Sequence, residues 1–289
     1  MNVQPCYGNH MKHRPSLADI LDRKITINVV DIGANPIDGE APYKPLLAAG
    51  VARVIGFEPL PEALARLNQR KGPNETYLPL AVYDGSVCDL KVCRAPGMTS
   101  LLEPNVALLD FFHSFPEWGA VQKRVAVQTV RLDDIKEIKR LDYLKIDVQG
   151  AELVIFQNGV ARLRECLVIH AEVEFLPMYQ GQSLFSEVEL YLRGCGFVFH
   201  RFAPLVSRTV QPMMVDGDKY AGLSQVFWAD AVFIKDFTKL DGLSVQSLRK
   251  LALILHDVYG SCDIVLRALM ALDAKAHSTI AEKYLRTLV

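Results

Sequence analysis

Five β-branched runs, most of them followed by a helical pattern, are the feature that most narrows what this chain can fold into. They are I-T-I-N-V-V-D-I-G from Ile25, V-A-R-V-I-G-F-E from Val51, T-Y-L-P-L-A-V from Thr76, L-D-Y-L-K-I-D-V from Leu141 and C-L-V-I-H-A-E-V from Cys166. Near-continuous apolar runs of this length suit strands buried on both faces of a parallel sheet. Helical patterns lie between or after them at Pro42–Ala49, at Pro61–Arg70, from Ala151 and from Leu184 to a stop at Gly194. Strands alternating with helices require right-handed crossovers and define the α/β class. G-F-V-F-H-R-F from Gly196 and Q-V-F-W-A-D-A-V-F-I from Gln225 have little helical character and are read as a closing hairpin.

A chain of 289 residues, half of them hydrophobic, can bury one large core. The expected division is an N-terminal arm over 1–23, an α/β domain over 24–238 and a helical segment over 239–289. In the last segment Leu248, Leu251, Leu255 and Val258, then Ile264, Leu266 and Leu269, recur at helical spacing and predict two or three helices. Between the third and fourth runs, residues 95–120 read as a long irregular insert, and long loops in compact domains are often functional.

The formal net charge of −1 provides no overall basic field for a nucleic-acid backbone or an anionic membrane. No stretch reaches the roughly eighteen apolar residues of a span, and the first residues lack the pattern of a secretory leader. The six cysteines, Cys6, Cys88, Cys93, Cys166, Cys195 and Cys262, form no C-x-x-C pair. Reduced thiols in a soluble, cytoplasmic protein are therefore expected.

Three features carry chemistry. D-I-G-A-N-P-I-D-G at 31–39 follows the first run directly, so Asp31 ends a strand and Gly33 permits close backbone approach to a polar cofactor tail. A dinucleotide fingerprint would need two more glycines where Asn35 and Asp38 stand. Glu58 ends the second run, where an acidic side chain can accept ribose hydroxyls. In L-K-I-D-V, Lys145 and Asp147 share one face of the fourth strand. His170, Glu172 and Glu174 share one face of the fifth. Ionisable groups on central strands are costly unless paired, and the carboxyl ends of such strands are where an open α/β sheet places its ligand crevice.

D-I-G-A-N, the Glu58-Pro59 pair, A-V-Y-D at 81–84 and K-I-D-V-Q-G-A-E at 145–152 together resemble the FkbM-type methyltransferases, in order and in spacing, over about Ile25 to Lys235. The resemblance implies a Rossmann-like class I methyltransferase fold: a seven-stranded, mostly parallel sheet with its last strand antiparallel and helices on both faces. It also implies S-adenosylmethionine as cofactor. Asp31, Gly33 and Asn35 would line its methionine end, Glu58 would take the ribose, and Asp84 would lie near the adenine. Lys145, Asp147 and Glu152 match the later motif, with Asp147 facing the methyl acceptor. Family members often carry a glycine two positions beyond the asparagine; this chain has Ile37, which implies a wider turn.

Members of that family look mostly like O-methyltransferases of sugars and other small-molecule hydroxyls, which makes Asp147, His170 and Glu172 candidate bases, with His113 in F-F-H-S-F-P a further one. The acceptor would be a small molecule or carbohydrate, with a homo-oligomer possible, and neither nucleic acid nor membrane is expected as partner. The histidines show no metal-ligand spacing, so no metal is expected. Two other readings share part of the pattern. A nicotinamide-dependent oxidoreductase would need the missing glycines. A non-catalytic nucleoside-binding module would have no physical reason to keep Asp31, Glu58, Asp84 and Asp147 all at strand ends.

Overall fold

The computed structural model describes residues 16–21, 24–35, 37 and 39–288. The greater part of the arm, including Cys6, His10 and His13, lies outside the described residues, as does Asp38.

Among the described residues, ten strands form two sheets. In chain order they are β1 (Ile27–Ile32), β2 (Ala52–Phe57), β3 (Glu75–Leu78), β4 (Ala81–Tyr83), β5 (Val87–Cys93), β6 (Val121–Arg131), β7 (Tyr143–Ile146), β8 (Val168–Glu174), β9 (Phe197–Arg208) and β10 (Gln225–Lys235). The main sheet has seven strands in the order β3-β2-β1-β7-β8-β10-β9. Pairings from β3 through β8 are parallel, and β10 runs antiparallel to both of its neighbours. This is the expected sheet, hairpin included. Every residue of β8 is buried, including His170, Glu172 and Glu174, which alternate with apolar residues along it.

The third apolar run differs from its expectation. It divides at Pro79 and Leu80 into β3, in the main sheet, and β4, in a separate sheet of order β4-β6-β5. Proline has no N–H to continue a ladder, so the chain leaves the sheet there. The second sheet was not legible because β6 starts with a run of exposed polar residues, Gln122, Lys123 and Arg124, and then alternates half-buried with exposed positions, with only Thr129 fully buried. The insert is also more ordered than expected: helices α4 (Val106–Leu109) and α5 (Phe115–Trp118) bring Leu109, Phe112 and Phe115 into an aromatic cluster with Met178, Tyr179 and Phe227.

The other helices are α1 (Ala18–Leu21), α2 (Lys44–Ala48), α3 (Pro61–Arg70), α6 (Glu152–Gln157), α7 (Val160–Glu165), α8 (Phe185–Gly194), α9 (Val245–Asp257), α10 (Cys262–Ala276) and α11 (Ile280–Arg286). Proline opens α3, where its missing N–H costs nothing, with Glu62 in the first turn and Arg70 in the last favouring the dipole. One sheet face packs Val30, Ile32, Leu144 and Ile146 on α6–α8; the other packs Ile27, Val29, Tyr143 and Val168 on α9–α11. Two polar ties, one buried and one half-buried, fix that second layer. Lys250 of α9 reaches Asp142 at 2.7 Å, below β7. Asp257, at the end of α9, accepts from Ser16 Oγ at 2.5 Å and from Leu17 N at 3.0 Å, which holds the described part of the arm.

Candidate active site

The site forms where strand order reverses. From β1 the chain moves to β2 on one side, whereas β7 pairs on the other, so the loops after β1 and β7 diverge and leave a crevice. Gly33 turns out of β1 with φ +78°, and a Cβ there would sit 1.8 Å from the Asp147 carbonyl oxygen. No side chain can be accommodated at that contact. The crevice opens into a cleft of about 840 Å³, solvent at its mouth included.

Gly33, Asn35 and Ile37 line the cleft at one end, Glu58 and Leu60 after β2, Leu80–Val82 beside them, and Asp147–Gln149 after β7. Pro96–Leu101 of the insert form the facing wall, apart from Met98. Ile37, where the family often has glycine, packs against Gly97 of that wall, whose Cβ would lie 3.5 Å from the Ile37 side chain.

The ionisable groups are arranged in cross-strand rows. Asp31, Lys145 and His170 are register partners across β1, β7 and β8. Lys145 Nζ donates to the Gly33 carbonyl at 3.0 Å and lies 3.5 Å from Asp31 and 3.7 Å from Asp147. Burial alone would lower its pKa, but the two aspartates hold it above the ordinary lysine value, so it is charged. The Tyr43 hydroxyl donates to Asp31 at 2.6 Å, and burial pushes that carboxyl above the usual range against the pull of Lys145 and Tyr43. Asp31 therefore braces the turn from beneath rather than lining the cleft.

Asp147 is the accessible acid. Burial would raise its pKa, but Lys145 and the hydrogen bonds on its carboxylate hold it below the ordinary aspartate value. Its side chain is 29% exposed, and Oδ1 accepts from Gln149 Nε2 at 2.9 Å. The same amide bonds Glu172, while Gln149 Oε1 accepts from the Tyr179 hydroxyl at 2.9 Å. Ser100 donates to the Gln149 carbonyl at 2.7 Å and so latches the insert wall onto this centre. Burial, with the Asp147 charge beside it, raises the Glu172 pKa well above the carboxylate range. Glu58 is 6% exposed, with one oxygen held by Leu60 N at 2.8 Å. Burial raises its pKa against that hydrogen bond.

Thus the fold brings Gly33, Asn35, Glu58 and Asp147 together around one cleft, with Glu172 hydrogen-bonded behind it. Three candidates stand elsewhere. Asp84 is exposed and accepts from Ser86 N and Oγ at 2.8 and 2.6 Å. His170 is 5% exposed, its Nδ1 3.0 Å from the Tyr259 hydroxyl and its Nε2 3.2 Å from Asp230. His113 lies with Nε2 3.0 Å from the Met213 carbonyl, away from the cleft. Gln149, Ser100 and Tyr179 escaped sequence reading because an amide and two hydroxyls carry no charge pattern. Only the position of Gln149 between Asp147 and Gly150 hinted at a role. Among the described residues no group of three or more His, Cys, Asp or Glu is placed to hold a metal.

Glu152, the last residue of the later motif, accepts from Val148 N at 2.9 Å and is 2% exposed. Burial raises its pKa to about 7 from an ordinary 4.5. An acid with a raised folded-state pKa contributes most stability below its unfolded value and loses it as pH rises through the folded one. Glu152→Gln, which keeps the acceptor oxygen, should therefore be near-neutral at pH 5 and stabilising at pH 8, by on the order of 2 kcal/mol. Urea melts at the two pH values measure this; an equal effect at both would contradict it.

Comparison with known proteins supplies the chemistry of the fold. Residues 31–199 match the family described as methyltransferase FkbM domain. Over 167 residues the chain is 27% identical to the 2-O-methyltransferase NoeI of Sinorhizobium fredii (strain NBRC 101917 / NGR234), a match spanning 53% of this chain and 66% of that relative's length. Among solved structures it is similar to magnesium protoporphyrin IX methyltransferase from Synechocystis PCC 6803 with bound SAM, at 12% identity and a TM-score of 0.40, over 76% of each chain. It is also similar to precorrin-6y C5,15-methyltransferase from Geobacter metallireducens GS-15, at 15% identity and a TM-score of 0.37, over 76% of this chain and 86% of that one. With more than half its length matched, this chain belongs to the FkbM family of S-adenosylmethionine-dependent methyltransferases.

Proposed function

We propose that the chain transfers the methyl group of S-adenosylmethionine to a hydroxyl of a small-molecule or carbohydrate acceptor. The observation that carries this reading is the cleft at the strand-order reversal, with a buried carboxyl, Glu58, at one end and an ionised one, Asp147, at the other. The residues present suit the cofactor. Glu58 matches a ribose diol, Phe57, Leu80 and Val82 an adenine face, and the side-chain-free Gly33 a close-packed amino-acid tail. When bound, S-adenosylmethionine supplies a methyl carbon made electrophilic by a sulfonium sulfur.

The part left to this chain is alignment and removal of one proton. With S-adenosylmethionine bound, Asp147 would take the acceptor's hydroxyl proton as that oxygen is methylated, the products being a methyl ether and S-adenosylhomocysteine. Asp147 is favoured over the other candidates because it combines charge with access. Glu172 is buried beneath the Gln149 amide, and both ring nitrogens of His170 face partners, Tyr259 and Asp230. The printed activity of the curated relative, a 2-O-methyltransferase, supports oxygen as the nucleophile. Free thiols at Cys88, Cys93, Cys166, Cys195 and Cys262 support a reducing compartment such as the cytoplasm. No helix among the described residues is long and apolar enough to cross a membrane.

Calorimetric titration with S-adenosylmethionine, S-adenosylhomocysteine and NAD tests the cofactor. Both adenosyl compounds should bind and NAD should not. Glu58→Ala should weaken them by roughly 10- to 100-fold, the loss of a hydrogen bond to a charged group worth about 1.5–3 kcal/mol. Unchanged affinity would remove Glu58 from the ribose site, and binding of NAD alone would overturn the methyltransferase reading.

A further inference from the structure

On the side of β7 away from the cofactor cleft, the sheet continues through β8 to β10, and there a second carboxylate is held ready. Asp230 of β10 is the register partner of Glu172, and Asp147, the residue after the end of β7, is linked to Glu172 through the Gln149 amide. Glu172 is buried, whereas the Asp230 side chain is 34% exposed and that of Asp147 is 29% exposed. Two accessible carboxyls thus flank a buried one.

Asp230 is backed by a chain of buried side chains. His170 Nε2 lies 3.2 Å from Asp230 and its Nδ1 3.0 Å from the Tyr259 hydroxyl, which in turn lies 2.6 Å from the Tyr143 hydroxyl. Tyr143 and Tyr259 are 0% and 4% exposed, and Arg201 fixes the Tyr259 segment by bonding its carbonyl and covering its ring at 5.4 Å. Three buried side chains thus serve to aim one exposed oxygen pair.

We infer that Asp230 is the acceptor-orienting residue, accepting a hydrogen bond from a second hydroxyl of a neutral, polyhydroxylated acceptor while Asp147 takes the reacting one, with His170 as its positioning residue. A hydroxyl reacting beside Asp147 belongs to a molecule that must extend away from the cofactor, and the sheet beyond β7 carries Glu172 and then Asp230. Two exposed carboxylates favour groups that donate hydrogen bonds and repel an anionic acceptor. This assignment rests on the methyltransferase reading and deepens it.

The test uses the full chain saturated with S-adenosylhomocysteine, titrated with methyl α-D-glucopyranoside, methyl α-D-mannopyranoside, methyl β-D-galactopyranoside and D-glucuronate while the His170 imidazole resonances are followed by NMR. At least one neutral glycoside should bind and shift those resonances, with glucuronate at least tenfold weaker. Asp230→Ala, or Asp230→Asn should the alanine variant not fold, should weaken the glycoside at least tenfold and leave S-adenosylhomocysteine affinity within twofold. His170→Ala should reproduce part of that loss, and His170→Gln, which can still donate, should recover it. Absence of glycoside binding to the loaded wild-type protein, equal affinity for glucuronate, or an Asp230 variant that binds like wild type overturns the inference. Failure of the wild-type protein to bind S-adenosylhomocysteine at all would instead overturn the methyltransferase reading beneath it.

Discussion

Asp147→Asn is expected to lose 10²- to 10⁴-fold in kcat, the range that a positioned general base contributes, while remaining folded and binding S-adenosylmethionine. The substitution keeps the shape of the side chain and an oxygen able to accept from Gln149 Nε2, now 2.9 Å from Oδ1, and it removes only the basic oxygen pair. Its effect should therefore appear in turnover and scarcely in thermal stability. Single-turnover transfer of labelled methyl to whichever acceptor the wild-type protein uses separates this from slow product release. The pH profile gives a second readout. Lys145 and the hydrogen bonds at Asp147 hold its pKa below the ordinary 3.8, so the wild-type acid limb should lie below that value. Activity in Asp147→Asn within threefold of wild type would move the proton acceptor elsewhere, or show that the acceptor needs none.

The choice of Asp147 over its neighbours as the proposed base could not be read from the sequence, and the reason illustrates what a linear pattern carries. Strand periodicity placed Lys145 with Asp147 and grouped His170, Glu172 and Glu174 on one face, because alternation follows from backbone geometry alone. Local pattern also located Gly33 and Glu58, since a strand end followed by glycine or acid is a contiguous signal. Distinguishing an accessible acid from a buried one requires knowing what covers each strand, and that depends on residues far away in sequence. Glu172 is covered by Gln149 and lies beside Glu174, whereas Asp147 keeps access because Lys145 draws its charge from beneath. His170 is withdrawn by Tyr259, a residue of the segment joining α9 to α10, 89 positions later. Asp84 fails to reach the cleft for a local reason: the chain turns at Gly85, and Ser86 captures the carboxylate. The insert wall was invisible because Ser100 contributes through a single hydroxyl to a main-chain carbonyl.

Lys145→Met should have the largest effect on the protein as a whole, because one ammonium serves three oxygens at the strand-order reversal. Its Nζ lies 3.0 Å from the Gly33 carbonyl, 3.5 Å from Asp31 and 3.7 Å from Asp147. Methionine fills a similar volume, so packing is largely preserved and the change is electrostatic. Removing one partner from a buried ion pair typically costs about 3–5 kcal/mol, since the remaining charge is left without compensation. Asp31, 2% exposed, would then depend on Tyr43 alone, and both aspartates would be driven towards their neutral forms. The sign with pH follows. Carboxyls whose folded-state pKa has been raised contribute most below the unfolded value and lose that contribution as pH rises through the folded one. The deficit of Lys145→Met relative to wild type should accordingly be smaller at pH 5 than at pH 8. Adding Asp31→Asn, which removes the more deeply buried of the stranded charges, should recover part of the stability at pH 8 but no activity, because Asp147 would still lack its cation. Denaturant unfolding of the single and double variants at both pH values decides the matter. A single-variant loss below 1 kcal/mol at pH 8, or no recovery in the double variant, would show that Tyr43 and solvent already suffice to hold Asp31, and that the lysine acts on Asp147 alone.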